Sequence, residues 1–245
     1  MKLLIDLGNT RLKWALWDGA ELHPGGAITH AGERPLDFDS VWQQIDGADA
    51  AWVASVAAPA LDAQLTQSLR ARGIHATQFV RSSAQACGVR SAYAQPERLG
   101  IDRFLSLIAA HARAHEPTVI ASCGTALTLD ALAADGTHLG GLIAPAPDIM
   151  RDALLGHTAR LGELGSARIV ERADNTTDAV ESGCWLAAAA LIERFVARSV
   201  QDFGTAPALV FSGGGAQRLA ELIALPSRID AELVLRGLAM FADRA

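Results

Sequence analysis

The chain contains few of the residues that mark disulfide-bonded, metal-binding or nucleic-acid-binding proteins. Three cysteines occur among 245 residues, and Cys87, Cys123 and Cys184 are widely spaced, without the close pairs typical of metal sites. Reduced thiols in a cytoplasmic protein are therefore expected, and Cys123 is expected to fill space because no His or Lys neighbours it. The formal net charge is −6, so no broad basic surface is available to attract nucleic acid or an anionic membrane.

Long hydrophobic runs are missing as well. Only residues 3–5 are apolar before Asp6, which is too short for the core of a signal peptide, and the apolar stretch 184–192 is too short to cross a bilayer. We therefore expect neither secretion nor a membrane span. The composition is 50% hydrophobic and 20% charged, which is typical of a folded protein, and the length allows two modest domains.

The order of strand-like and helix-like patterns repeats along the chain. In each half a short apolar run leads into a Gly-containing turn and a returning strand, and helical spacings follow. The first half predicts strands at 2–5, 12–16 and 51–56 and helices at 61–72 and 101–114. The second half predicts strands at 118–121, 128–132 and 208–211 and helices at 149–155, 177–200 and from 231. We therefore predict an α/β fold in two related domains, residues 1–115 and 116–245.

Each half contains one turn suited to phosphate binding. These turns are Asp6-Leu7-Gly8-Asn9-Thr10 and Ser122-Cys123-Gly124-Thr125, in which glycine lets a ligand approach backbone N–H and hydroxyl donors closely. Asp6 ends a buried strand and is well placed to hold Mg²⁺ or its water shell, although an Asx turn is the structural alternative. Arg11 and Lys13 on the outgoing strand could meet phosphate, but basic residues there are more often solvated.

A Gly-rich segment and a helix start complete the candidate sites. Ser212-Gly213-Gly214-Gly215 follows a strand and would let a flat ring lie against the backbone. Asp102 and Arg103 follow Gly100 at a helix start, where one group could accept a proton and the other could pair with an anionic substrate. The alternatives are helix capping with a surface ion pair for Asp102 and Arg103, and simple packing for Tyr93, the only tyrosine.

Taken in order, these motifs resemble a known family. Two phosphate turns followed by a Gly-rich platform resemble the superfamily of sugar kinases, Hsp70 chaperones and actin, in which two ribonuclease-H-like domains close on ATP. The full set resembles type III pantothenate kinase along the whole chain. Its motifs here are Asp6-x-Gly8-Asn9-Thr10, Tyr93-x-x-Pro96-x-x-Leu99-Gly100-x-Asp102-Arg103, Gly124-Thr125-Ala126-x-Thr128-x-Asp130, Gly140-Gly141-x-Ile143-x-Pro145, Asn175-Thr176-x-x-Ala179-x-x-Ser182-Gly183 and Leu233-x-Leu235-Arg236-Gly237-Leu238.

This resemblance implies an activity and a set of ligand contacts. ATP would phosphorylate the primary hydroxyl of pantothenate, the first step of coenzyme A biosynthesis, with Asp102 as the base. Residues implied to contact ATP are Asp6, Leu7, Gly8, Asn9, Thr10, Arg11, Leu12, Lys13 and Thr125. Residues implied to hold pantothenate are Tyr93, Gly100, Ile101, Asp102, Arg103 and Thr176. The resemblance further implies a homodimer and a need for Mg²⁺ and for K⁺ or NH₄⁺.

Ser122 departs from the family pattern. The family's second turn has an Asp there that helps bind the monovalent cation, and a neutral hydroxyl brings no charge to offset dehydration of the ion. The predicted cation site is therefore weakened. A regulatory accessory protein that binds nucleotide with little or no kinase activity is the alternative function, because some relatives are described as Bvg accessory factors, but the sequence contains no recognisable DNA-reading helix.

Overall fold

Two compact units make up this computed structural model, which describes residues 1–30, 36–42, 45, 47–158 and 165–244. Internal contacts group residues 1–115, 135–138 and 232–245 in the first unit and residues 116–134 and 139–231 in the second. Each unit contains one five-stranded sheet. In the part of the chain that the structure describes, no helix is both long enough and apolar enough to span a membrane.

The elements are numbered in chain order. Residues 1–115 contain β1 (Lys2–Leu7), β2 (Arg11–Trp17), β3 (Leu22–Thr29), α1 (Phe38–Trp42), β4 (Ala50–Ser55), α2 (Pro59–Ala71), β5 (Ala76–Phe79), β6 (Gln85–Ala86), β7 (Val89–Arg90) and α3 (Ile101–Arg113). Later residues contain β8 (Thr118–Cys123), β9 (Ala126–Leu132), β10 (His138–Pro145), α4 (Pro147–His157), α5 (Thr176–Phe203), β11 (Ala208–Ser212), α6 (Ala216–Leu222), β12 (Ser227–Ile229) and α7 (Leu233–Ala242).

The sheet of the first unit is built around β1. Its strand order is β3-β2-β1-β4-β5, with β1 antiparallel to β2 and parallel to β4. Leu3, Leu4 and Ile5 are all fully buried because β1 is central and covered on both faces, which explains its unbroken apolar run. Helix α2 begins at Pro59 and ends before Gly73, whose φ of +81° is accessible to glycine at little cost.

Strand β3 was not predicted from the sequence. It contains Pro24, Gly25 and Gly26, which are poor strand formers, and it lies at an exposed sheet edge. A Cβ on Gly25 would lie 2.3 Å from the indole of Trp14, so the strand packs its backbone directly on that ring. A cross-strand contact, rather than local propensity, explains this element.

The second unit repeats the strand order of the first. Its order is β10-β9-β8-β11-β12, with β8 antiparallel to β9 and parallel to β11. The long helix α5 begins at the cap Asn175, whose side chain accepts a hydrogen bond from the Asp178 N–H, and ends at Gly204 with φ +70°. Trp185 and Ile192 of this helix pack into the same apolar core as the inner face of the sheet.

The C-terminal helix α7 lies in the first unit. The sequence pattern places residues 232–245 in the second domain, whereas in the structure they group with the first unit. A Cβ on Gly237 would lie 2.1 Å from the Leu105 carbonyl oxygen, so glycine allows the backbones of α7 and α3 to touch. Leu235 and Leu238 are buried, which adds apolar area to this packing.

Candidate active site

The first phosphate turn is fixed by hydrogen bonds at both ends. The Gly8 N–H donates to the Arg11 carbonyl oxygen (2.9 Å), and the Val56 N–H donates to the Leu7 carbonyl oxygen (3.1 Å). The His30 Nε2–H donates to the Gly8 carbonyl oxygen (2.9 Å). These bonds hold the turn in one shape between β1 and β2, so it is preorganised for a ligand.

Asp6 and Lys13 are cross-strand neighbours beside this turn. Asp6 is partly buried, and burial together with the negative charge of Asp102 raises its pKa to about 7, while the positive charge of Lys13 acts in the opposite direction. A cation beside these two carboxylates would offset both the burial of Asp6 and their mutual repulsion. The donor set therefore fits Mg²⁺, which takes one or two protein carboxylates and keeps several waters.

No larger metal cluster exists in the described ranges. Within residues 1–30, 36–42, 45, 47–158 and 165–244, no group of three or more His, Cys, Asp or Glu side chains could hold a metal ion.

Asp102 lies in the first turn of α3, and its carboxylate folds back over Gly100. A Cβ on Gly100 would lie 2.6 Å from Asp102 Oδ1, so the carboxylate occupies the space where a side chain at position 100 would begin. The Ser106 hydroxyl donates to the Asp102 backbone carbonyl oxygen (2.8 Å) and strengthens the first turn. The carboxylate lies at a helix N-terminus, where backbone N–H groups favour negative charge.

Arg103 is a buried cation in contact with Tyr93. Arg103 is only 5% exposed, and its Nη1 donates a hydrogen bond to the Tyr93 hydroxyl (2.9 Å). The guanidinium carbon lies 5.7 Å from the centre of the Tyr93 ring. The predicted residues Asp102, Arg103 and Tyr93 therefore lie in one connected group of the first unit, and the surface-ion-pair alternative does not apply to a buried Arg103.

His138 joins this group although the sequence analysis did not select it. Its ring stacks on that of Tyr93, with centroids 6.2 Å apart and 15° between the planes, and the residue is 1% exposed. The only signal in the sequence is its place two residues before the Gly140-Gly141 motif. Local patterns could not reveal it because its partner lies 45 residues earlier in the chain.

Three apolar residues of the predicted set point into the core. Leu7 and Leu12 are fully buried and Ile101 is 5% exposed. Any contact of these residues with ATP or pantothenate would therefore use their backbone atoms.

The second phosphate turn is packed against the Gly-rich segment. The Gly124 N–H donates to the Ala126 carbonyl oxygen (2.9 Å), and the Gly215 N–H donates to the Cys123 carbonyl oxygen (3.0 Å). Gly213 has φ +86°, and a Cβ there would lie 2.3 Å from the Cys123 carbonyl oxygen. The glycines that the sequence analysis assigned to a ligand platform thus also let two backbone segments touch.

The remaining predicted residues lie in the second unit. Ser122 is partly buried in β8 and pairs with Thr128 of β9 and Ser212 of β11. Thr125 in the turn and Thr176 at the start of α5 are exposed. Cys123 is a buried free thiol whose pKa is raised to about 11, first by burial and then by the charge of Asp148.

A charged cluster in the second unit was also missed by sequence reasoning. Glu181 is nearly buried, accepts a hydrogen bond from Trp185 Nε1 (3.0 Å) and forms ion pairs with Arg218 (2.9 Å) and Arg151 (3.5 Å). The Arg218 guanidinium lies 4.5 Å from the centre of the Trp185 ring. Glu181, Arg151 and Arg218 line part of a cavity of about 670 Å³, and their ion pairs connect α4, α5 and α6.

Comparison with known proteins points to one family. The family model described as type III pantothenate kinase matches residues 2–198. A type III pantothenate kinase of Xanthomonas campestris pv. campestris is 42% identical over 99% of this chain and 97% of its own length. One of Stenotrophomonas maltophilia is 43% identical over 98% of this chain and 96% of its own length.

Solved structures share the fold at low sequence identity. A protein of Campylobacter jejuni, described as a Baf family transcriptional activator, is 20% identical with a TM-score of 0.63 over 99% of this chain and 98% of its own. One of Sinorhizobium meliloti, described as a 2-dehydro-3-deoxygalactonokinase, is 13% identical with a TM-score of 0.59 over 100% and 99% of the two chains. These likenesses and the two five-stranded sheets confirm the predicted α/β fold.

Proposed function

We infer residue roles from the premise that this chain belongs to the type III pantothenate kinase family. The protein is a kinase that transfers a phosphoryl group from ATP to pantothenate in coenzyme A biosynthesis. The family match and the relatives at 42–43% identity confirm this prediction from the sequence, and the regulatory alternative is not favoured.

Asp102 is the proposed general base. A primary alcohol attacks phosphorus more readily when a carboxylate in hydrogen-bond reach accepts its proton, and most of the remaining catalysis is positioning and charge stabilisation. The observation that carries this role is the fold of the Asp102 carboxylate over Gly100, in the same group as the buried Arg103.

Arg103 is the proposed partner of the pantothenate carboxylate. A guanidinium presents several N–H donors in a plane, and a buried one binds an anion more strongly because water screens it less. Tyr93 fixes one of those donors through its hydroxyl. Gly100, Ile101 and Thr176 complete the proposed pantothenate set.

The proposed ATP contacts use both phosphate turns. In the first unit they are residues 6–13, where Gly8, Asn9 and Thr10 form the turn and Lys13 supplies positive charge beside Asp6. In the second unit the proposed contact is Thr125. Asp6 would hold Mg²⁺ directly or through water, and the ion would neutralise charge on the phosphates of ATP.

Substitution of the base tests this assignment. We expect Asp102→Asn, which keeps the side-chain size, to lower kcat for pantothenate-dependent ADP formation by about 10²-fold or more, with an unchanged melting temperature. Ser106→Ala in the same helix serves as the control and should stay within about threefold of wild type. Equal activity of wild type and Asp102→Asn would remove Asp102 from the role of base.

The monovalent-cation requirement is proposed to be weak. Ser122 offers a neutral hydroxyl, and its cross-strand partners Thr128 and Ser212 are neutral as well. Asp130 lies two residues after Thr128 in β9 and on the same face of the strand. It is the proposed source of any negative charge near Ser122.

A homodimer acting in the cytoplasm, where ATP is available, is proposed as the working form. An apolar groove on the second unit supports it, with lining residues Met150, Leu154, Ala179, Val180, Gly183 and Cys184 of α4 and α5. Ile149 and Leu154 are 42% and 45% exposed, which costs hydrophobic free energy unless another surface covers them. Light scattering should give the molar mass of a monomer for Leu154→Glu. A dimer mass for this variant would show that the interface is not at this groove.

A further inference from the structure

Tyr93 contacts two buried residues of the first unit. Arg103 donates to its hydroxyl, and His138 stacks on its ring with centroids 6.2 Å apart. Tyr93 itself is partly exposed, whereas His138 is 1% exposed. His138 therefore supports the ring from the protein interior and leaves part of Tyr93 accessible to a ligand.

The position of His138 is fixed by its own segment. Residues 135–138 lie beside residues 88–93: the Arg90 N–H donates to the Gly136 carbonyl oxygen (2.9 Å), and Arg90 Nη2 donates to Asp135 (2.9 Å) and to Thr137 (2.5 Å). The Ala92 N–H donates to His138 Nδ1 (3.4 Å). Backbone and side-chain bonds thus connect His138 to the segment that carries Tyr93.

The two segments also touch where two glycines meet. A Cβ on Gly136, which has φ +83°, would lie 2.0 Å from the Gly88 carbonyl oxygen. Cβ atoms on Gly88 and Gly136 would lie 2.9 Å and 3.1 Å from the His111 ring near the end of α3. Helix α3 therefore carries Asp102 and Arg103 at its start and supports the Tyr93 and His138 segments near its end.

We propose that His138 is a positioning residue for pantothenate, which it serves by fixing the ring of Tyr93 and, through the Tyr93 hydroxyl, the guanidinium of Arg103. This inference rests on the proposed assignment of Tyr93 and Arg103 to the pantothenate site. Without the imidazole, Tyr93 loses its stacking partner and can rotate away from Arg103. The chemistry at Asp102 and the contacts with ATP do not depend on this stack.

Steady-state kinetics separate positioning from general damage. We expect His138→Ala to raise the KM for pantothenate about fivefold, the scale of one aromatic pair, while kcat and the KM for ATP stay within about twofold. His138→Phe keeps the ring and should return to within about twofold of wild type. His75→Ala, at an exposed histidine of the same unit, should match wild type.

The single tyrosine allows a direct readout that needs no activity. Incorporation of 3-fluorotyrosine gives one ¹⁹F signal, from Tyr93, and His138→Ala should shift or broaden it while His75→Ala and His138→Phe change it much less. If wild type fails to phosphorylate pantothenate, the proposed function fails, but this signal still reports whether His138 sets the Tyr93 ring.

Two outcomes would overturn the inference. One is a folded His138→Ala protein with the wild-type fluorine signal and wild-type KM for pantothenate. If His138→Ala does not fold, His138→Phe and His138→Asn decide instead, because the first keeps the ring and the second keeps a hydrogen-bonding group. The second outcome is a lower KM for pantothenate in the Asn variant than in the Phe variant, which would show that ring stacking on Tyr93 does not position pantothenate.

Discussion

The two phosphate turns occupy equivalent places in two sheets of the same strand order, yet they are built from different chemistry. Asp6 pairs with Lys13 and Ala54, whereas Ser122, at the matching position, pairs with Thr128 and Ser212. The first turn thus concentrates charge. The second is neutral along its strand pairs and owes its shape to close backbone packing.

This difference separates two tasks that a phosphate-binding turn can perform. In the first unit, burial and the negative charge of Asp102 raise the pKa of Asp6 to about 7, which is the kind of perturbation expected of a group that meets a cation. In the second unit, Gly213 and Gly215 pack closely against Cys123. This packing keeps the turn rigid and involves no charged side chain. The first turn is suited to stabilising charge, and the second turn is suited to presenting a rigid backbone to a ligand.

The largest effect should come from removing the carboxylate of the first turn. We expect Asp6→Asn to lower kcat/KM for ATP by about 10²-fold or more, because the site loses the carboxylate proposed to hold Mg²⁺. Ser122→Ala is the matched change in the second turn and should cost less than about threefold. Coupled assays of ADP formation over a Mg²⁺ series measure both, and equal losses would contradict the division of tasks.

Shape in the second turn is tested by its glycines. Gly213→Ala should lower the free energy of unfolding by about 2–4 kcal/mol, because alanine resists φ +86° and its Cβ meets the Cys123 carbonyl oxygen. Gly124→Ala has no atom within 4 Å of the added Cβ and should change stability by less than about 1 kcal/mol. Urea unfolding compares them, and similar losses would disprove the packing argument.

Giving the second turn the charge of the first should create a dependence on potassium. We expect wild-type activity in K⁺ and in Na⁺ to agree within about twofold, and Ser122→Asp to prefer K⁺ by about tenfold, because a carboxylate offsets dehydration of the ion. Ser122→Asn controls for size without charge. A wild type that already needs K⁺ would mean that other groups, such as Asp130, supply the site.

The smallest expected effects concern pH, and they have opposite signs in the two units. The raised pKa of Asp6 means that the ionised form is disfavoured in the fold, so stability falls as pH rises from about 4 to about 7. Hydrogen bonds from the Arg168 N–H and the Asn175 side chain lower the pKa of Asp178, so its stabilisation is present at neutral pH and is lost as pH falls below about 4.

Metal-free unfolding of two variants checks these signs. Asp6→Asn should be more stable than wild type at pH 8 by about 1 kcal/mol, with the gap closing towards pH 4. Asp178→Asn should be less stable than wild type at pH 7, with the gap closing towards pH 3. The same sign for both variants at pH 7–8 would contradict the contrast.

Elements with a strong local pattern could be predicted from the sequence, and elements fixed by distant contacts could not. Strands β1, β2, β8 and β9 and helices α3 and α5 follow apolar spacing and glycine signals closely. Strand β3 has no such pattern. Its backbone at Gly25 packs directly on the indole of Trp14, a contact from another strand that the local sequence does not reveal. The place of α7 depends on Gly237 meeting Leu105, a contact across 132 positions that no local pattern encodes.

The candidate site also contains residues that the sequence reveals and residues that only the folded structure reveals. Asp6, Asp102 and Arg103 could be selected because Asp6 ends a strand directly before a Gly-containing turn, and the other two lie at a helix start. His138 could not, because a histidine at a strand start has no distinctive spacing and its meaning comes from Tyr93. Burial of Leu7, Leu12 and Ile101, which limits them to backbone contacts, is also a property of the folded chain.

The interleaving of the two units has a consequence for biosynthesis. The chain passes from one unit to the other at residues 115/116, 134/135, 138/139 and 231/232, so the first unit is assembled from three separate pieces. When a ribosome has released residues 1–115, helix α3 still lacks α7, which packs on it through Gly237. The unit that carries Asp6 and Asp102 is therefore completed only when the last residues emerge, and a prematurely terminated chain leaves an apolar surface for chaperones to bind.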